Sequence, residues 1–239
     1  MRDMLIRRLG ILSALSGVLS LVLLAVAVWG FRAGGWPWPR AYDLAGWAVW
    51  AALGGVIMAL AGLVVWLRLR TGGAGAVLLG LILSLPVAGL GAAFDIAART
   101  TPPINDISTD TDDPPVFWFT ATPSDYPAQN AAPQRAAYPD VRPLELPVSA
   151  DEAFAAALAL VEERGWEVLS ADPAESQIEA IAKSRLFGFE DEVATRVTET
   201  DTGTRIDMRS RSRLGQIDRG ANARRIEAFL SELETRTPN

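Results

Sequence analysis

"DEVATRVTETDTGTRIDMRSR", residues 191–211, decides the fold of the polar half of this chain. Two runs alternate with a period of two and are separated by Asp201-Thr202-Gly203. That is the chemistry of an antiparallel hairpin with a tight turn. In the second run Ile206, Met208 and Ser210 share one side, and Arg205, Asp207, Arg209 and Arg211 the other. In the first, Val193, Thr195 and Val197 oppose Glu192, Ala194 and Arg196. One sheet face is therefore expected to be buried and the other strongly charged. The charged face has two readings: a solvated surface of cross-strand ion pairs, or an anion site built from Arg209, Arg211 and Arg213.

Working outward, "WEVLSA" (166–171) turns through Asp172-Pro173 into "QIEAIAKS" (177–184), a second hairpin. Before it, Ser149 and Glu152 have capping-box spacing and open a helix to about residue 164. Its Phe154, Ala157, Leu158 and Val161 fall on one face, and Gly165 stops it. "VRPLEL" (141–146) reads as a short strand at a sheet edge, because Pro143 cannot donate a ladder hydrogen bond. A last helix, about 220–235, aligns Ala223, Ile226, Phe229, Leu230 and Leu233. Residues 141–236 thus read as a small soluble α+β domain with an antiparallel sheet, order β-α-β-β-β-β-α, both helices on one face.

Upstream, residues 101–140 are rich in Pro and Asp and read as an extended, largely irregular connector. "VFWF" (116–119) has three readings: a strand, a segment on a membrane surface, or a cover for the domain core. Asp106, Ser108, Asp110 and Asp112 imitate the first ligands of a calcium loop, but position six is Thr111 and position twelve Phe117, where Gly and Glu are needed. Turn-forming side-chain hydrogen bonds to nearby amides are the simpler reading.

Residues 1–100 have a different composition, holding 8 Arg and 3 Asp, net +5, against 14 Lys+Arg and 25 Asp+Glu, net −11, in residues 101–239. Three apolar runs, 9–31, 45–66 and 74–94, each exceed the roughly 20 residues a helix needs to span a bilayer. They read as a three-helix transmembrane anchor. The first is longer than the roughly 7–15 apolar residues of a signal peptide. Five arginines (Arg2, Arg7, Arg8, Arg68, Arg70) flank one side and three (Arg32, Arg40, Arg99) the other. The bias places the N-terminus in the cytoplasm and the C-terminal domain outside, on a bacterial inner membrane. Small residues at intervals of four (Ala76, Gly80, Ser84, Ala88, Ala92; Ala51, Gly55, Ala59) offer either packing within the bundle or a seam for a homo-oligomer.

Three stretches resemble one another's counterparts in a bacterial family of uncharacterised domains, DUF1499: "PPINDISTD" (102–110), "SRLFGFEDEVATRV" (184–197) and "DMRSRSRLGQIDRGANARRIEAFL" (207–230). The resemblance implies motif positions and no activity. As binding residues it points to Asn105, Asp106, Asp110, Arg185, Asp191, Arg209, Arg213 and Asp218. Ser210, Ser212, Asn222 and Arg225 also fall on it, and Asp218 or Asn222 has a structural account as a helix cap.

The chain has no His and no Cys. That removes His- and Cys-based nucleophile triads and the usual zinc, haem and iron–sulfur ligand sets, and no cofactor or metal is assigned. The acidic domain argues against nucleic acid. The expected partner is the lipid bilayer, with an envelope protein, lipid or polymer bound by the outer domain. The first expectation is a non-catalytic binding or structural module of the cell envelope. The alternative is an enzyme using paired carboxylates, from Asp106, Asp110, Asp191 and Asp218, or a divalent metal, on an envelope glycan or lipid. Transport is weakest, since no charge lies centrally in the apolar runs.

Overall fold

Three helices, α1 (Arg2–Arg32), α2 (Trp38–Leu69) and α3 (Ala74–Thr100), carry the apolar runs, and each is long and apolar enough to cross a membrane. The structure is a computed structural model that describes residues 2–70, 72–120 and 123–237. All three helices overrun their apolar runs, α3 by six residues past 94. Hydropathy marks where lipid contact ends, whereas a helix continues until something stops it. Here Pro102 and Pro103 follow the last turn, where Thr101 bonds back to the Ala97 carbonyl.

The small-residue stripes face other helices of the same chain. Gly10 lies against Ala76, Gly17 against Leu83 and Ser84, and Gly80 against Ser13, so closely that a methyl at any of them would overlap its neighbour. Ser13 donates to the Gly55 carbonyl at 2.7 Å and Ser16 to that of Ala51 at 2.8 Å. Without a hydrophobic drive between helices in lipid, close approach and interhelical hydrogen bonds supply the packing. Gly55, Ala59, Gly80, Ser84 and Ala88, set out above as either bundle packing or a seam for a homo-oligomer, are buried inside the bundle, as the packing reading expects.

The chain divides into two compact units after Ile96. The second contains β1 (Asp106–Ser108), a 3-10 turn (Ala128–Asn130) running into α4 (Ala131–Ala137), β2 (Leu144–Leu146), α5 (Ala150–Glu163), β3 (Glu167–Asp172), β4 (Gln177–Lys183), β5 (Glu190–Thr200), β6 (Gly203–Ser212) and α6 (Ala221–Arg236). The sheet runs β1-β6-β5-β4-β3, antiparallel at every pairing. β1 and β2 share the outer edge of β6, with Ser108 opposite Arg209 and Leu144 opposite Ile206. Ile178, Ala180, Val193, Val197, Ile206 and Met208 form one apolar face, closed by Phe154, Leu160 and Val161 of α5 and Ile226, Phe229 and Leu233 of α6. Ser149 accepts from the Glu152 amide at 3.3 Å to cap α5, and Gly165 ends it with φ +66°.

Residues 101–140 are more ordered than a connector. They contribute an edge strand and a helix, neither of which has an apolar period of its own. β1 is three residues long and gains its conformation from β6. Gln134 of α4 then closes the outer edge of β1, donating to the Ser108 carbonyl at 2.6 Å and accepting from its amide at 3.0 Å. The side-chain amide stands in for a missing strand.

Gly203 opens β6 with φ +147°, a region open essentially to glycine, and a Cβ there would overlap the Leu146 carbonyl of β2. Gly203→Ala should destabilise the domain by about 1–3 kcal/mol, read as a lower thermal midpoint of the full chain in nanodiscs.

Candidate functional site

The alternation of β6 puts Arg205, Asp207, Arg209 and Arg211 on the face opposite α5 and α6. This face is not solvated. A strap (residues 109–120 and 123–126) crosses it, and Glu179, Glu192, Asp207 and Arg209 are all buried. Arg209, 1 % exposed, is the centre. Its guanidinium grips Asp106 by two parallel bonds, Nε to Oδ1 at 2.9 Å and Nη2 to Oδ2 at 2.7 Å. Nη1 donates to the strap carbonyls of Pro115, at 3.1 Å, and Ser124, at 2.8 Å. The Phe117 and Tyr126 rings stack on it at 4.8 and 5.5 Å. The planar fork matches the carboxylate and the rings match its faces.

The neighbouring charges are closed in the same way. Glu192 accepts from Arg211 and, at 3.0 Å, from Arg213, whose other arm reaches Glu190 at 2.6 Å. Asp207 accepts from Thr109 at 3.0 Å, Arg205 at 2.9 Å and Arg196 at 3.4 Å. Glu179 accepts the backbone amides of Trp118, at 2.8 Å, and Phe119, at 3.1 Å, and the Gln177 amide at 3.0 Å. The "VFWF" run therefore lies on the domain: Phe117 is buried against the arginines while Val116, Trp118 and Phe119 turn outward. The anion site expected from Arg209, Arg211 and Arg213 is corrected, since carboxylates from β1 and β5 already fill it. The solvated-face reading is corrected too. Its ion pairs are present, but they lie beneath the strap.

A second network sits on the opposite face, at the start of α6. Asn222 donates to the Asn105 carbonyl at 2.9 Å and to Ser212 at 3.0 Å, and accepts from Ser210 at 2.8 Å. Arg225 bridges Ser210, at 2.8 Å, to Asp191, at 2.5 Å. Asp218 accepts the amides of Gly220, at 2.7 Å, and Asn222, at 2.8 Å, and so caps the helix from outside it. Asn222, the other capping candidate, points inward instead. Asn105 donates to the Gly215 carbonyl at 2.6 Å.

The eight motif residues thus divide. Asp106, Asp110, Arg209 and Arg213 join the strapped face. Asn105, Asp191 and Asp218 join the network under α6. Arg185 is exposed on the loop between β4 and β5. The four carboxylates set out as acid–base candidates do not all converge: Asp106 and Asp110 are on one face, and Asp191 and Asp218 on the other, near enough that burial and then the Asp191 charge both raise the Asp218 carboxyl. Among the described residues no group of three or more His, Cys, Asp or Glu is placed to hold a metal ion. Sequence reasoning missed Glu179 and Gln134. Nothing local marks either, because Glu179 meets strap amides some 60 residues away and Gln134 meets β1 across 26.

Asp110 behaves as the turn reading expects. It accepts the amides of Asp112 and Asp113, each at 2.9 Å, and pairs with Arg205 at 2.8 Å. Burial pushes its carboxyl up, but those amides and the Arg205 and Arg196 charges outweigh burial and hold it below its ordinary 3.8. A carboxylate held low when folded stabilises above its ordinary pKa and loses that contribution as the pH falls through the folded value. Glu190 acts in the same direction: burial raises it, and Lys183 and Arg213 more than reverse this. Asp218 runs the other way, raised by burial beyond what its helix amides recover, so its contribution is greatest below its ordinary value. Asp110→Asn should lower stability at neutral pH by on the order of 1 kcal/mol. It should also lose less than the wild type between about pH 5 and 3, in midpoints measured across that window.

Residues 106–233, more than half of the chain, match a family described as a protein of unknown function, DUF1499. The match begins on β1 and ends in α6, so it takes in both networks except Asn105. No curated protein matches the chain.

Proposed function

The chain belongs to the DUF1499 family, and from that premise we propose that it is a membrane-anchored, non-catalytic structural or binding module of the cell envelope. The observation that supports this most is the internal use of the motif charges. Asp106, Asp110, Asp191, Asp218, Arg209 and Arg213 each bond to a group of the same domain, and the buried Arg209 does so with Asp106, Pro115 and Ser124 together. Charges arranged in this way hold a chain in one shape; a general acid or base needs a proton path to substrate. The absence of His and Cys from the sequence accords with this reading. The excess of arginines on the N-terminal side favours a cytoplasmic N-terminus and an extracytoplasmic C-terminal domain.

A chain without cysteine allows a direct test of orientation. Gly72→Cys and Asp201→Cys both introduce an exposed thiol. A membrane-impermeant maleimide applied to intact cells should label Cys at 201, and should label Cys at 72 only after permeabilisation. The reverse pattern would invert the proposed topology. For the binding role, photocrosslinking from the exposed Phe119 position of the full chain should yield a discrete envelope partner; bulk protein alone would count against it.

A further inference from the structure

Two loops meet at the end of the domain where the chain arrives from α3. Residues 184–189 form a tight turn between β4 and β5, held by Ser184, which accepts the Phe189 amide on its hydroxyl at 2.9 Å. Residues 213–219 lead from β6 to α6. The two are adjacent, since the Arg213 amide donates to the Glu190 carbonyl at 3.1 Å. The second loop is also tied to the entering chain, the Asp218 amide donating to the Ile104 carbonyl at 3.2 Å. Ile104 is four residues past Thr100, the last of α3. At about 3.5 Å per residue, that tether holds the loop within roughly 14 Å of the helix end, plus one hydrogen bond.

This end is apolar and basic, in a domain that is neither on average. Leu186, Leu214 and Ile217 are 41, 51 and 41 % exposed. The two loops carry Arg185 and Arg219 against a single acid, Asp218, while Arg213 is neutralised by Glu190 and Glu192. The opposite end of the sheet carries the reverse pattern. The β3–β4 and β5–β6 turns hold Asp172, Glu175 and Asp201, no base and no large apolar side chain. Exposed aliphatic tips among arginines suit the headgroup–acyl boundary of an anionic bilayer, while the acidic far end is suited to water.

We propose that loops 184–189 and 213–219 rest on the surface of the bilayer that the three helices cross, with Leu186, Leu214 and Ile217 entering the boundary and Arg185 and Arg219 on the side of anionic lipid. This rests on the membrane-anchor reading above. The domain is then held at the membrane at two points, the α3 tether and the loop surface, which limits how far it can swing.

Single cysteines at Leu214, Ile217, Phe119, Asp201 and Ile57 of the full chain, each labelled with an environment-sensitive fluorophore, test it in nanodiscs containing phosphatidylglycerol and shallow or deep nitroxide lipids. Leu214→Cys and Ile217→Cys should emit further to the blue than Asp201→Cys. Shallow nitroxides should quench them several-fold more strongly, and at least twofold less in purely zwitterionic discs. Ile57→Cys, on the exposed face of α2, should be quenched by deep nitroxides. Quenching at 214 and 217 no greater than at 201, with Ile57 still quenched, overturns the loop contact alone. Quenching at 119 in place of 214 and 217 means the domain lies on its strap, and also overturns it. An unquenched Ile57 removes the membrane-anchor reading itself.

Discussion

Arg209→Met should cost the C-terminal domain about 3–5 kcal/mol, enough to unfold much of it at physiological temperature. The size follows from what is left behind. Asp106 would remain buried as an uncompensated carboxylate, and the Pro115 and Ser124 carbonyls of the strap would lose their donor. An unpaired buried charge is far more damaging than the net value of an intact pair. The double variant Asp106→Leu with Arg209→Met separates these terms. Removing both charges eliminates the stranded carboxylate, so the double variant should be more stable than Arg209→Met alone. It should still fall short of wild type, because two buried carbonyls stay unsatisfied at about 1–3 kcal/mol each. Chemical denaturation of wild type, Arg209→Met, Asp106→Leu and the double variant gives the coupling. In both Met variants, limited proteolysis should cut first in the strap, which loses its Pro115 and Ser124 anchors to Arg209.

Asn222→Ala should have the second largest effect, a loss of about 3 kcal/mol. Its side chain is fully buried and uses both ends: the amide donates to the Asn105 carbonyl and Ser212, and the oxygen accepts from Ser210 and Arg225. Truncation would remove a partner from four groups, Asn105, Ser212, Ser210 and Arg225, in a site shared by β1's approach, β6 and the start of α6. The damage should be local as well as global. Hydrogen exchange should rise first at Ala221, Asn222 and residues 104–106, while β3 and β4 stay protected. A uniform rise would mean that the network has no special hold on α6.

Both variants test positions that a reading of the sequence locates but does not connect. The hairpin at 191–211 was legible because a period of two, interrupted by Asp-Thr-Gly, specifies strand, turn and strand without knowledge of anything else. For the same reason α5 and α6 lie within about a residue of their expected bounds, and β3, β4 and β5 likewise, while β6 takes in Gly203, which the sequence placed in the turn. β1 and α4 were not legible. Three residues containing Asp106 and Ser108 have no strand pattern, and α4 has no apolar face. Each is held by partners far along the chain.

The same division holds for the charged face. By itself the sequence determined that Arg205, Asp207, Arg209 and Arg211 share one side of a strand, since alternation is a property of the local backbone. It also determined the three apolar helices, because lipid-spanning length and composition are read residue by residue. Only the tertiary structure decided that Arg209 meets Asp106 across 103 residues, that the strap seals the pair from water, and that Asp191 and Asp218 lie on the opposite face. Hydrogen bonds and ion pairs act over a few ångströms in space and leave no period along the chain, so which charges pair is settled by the fold that brings them together.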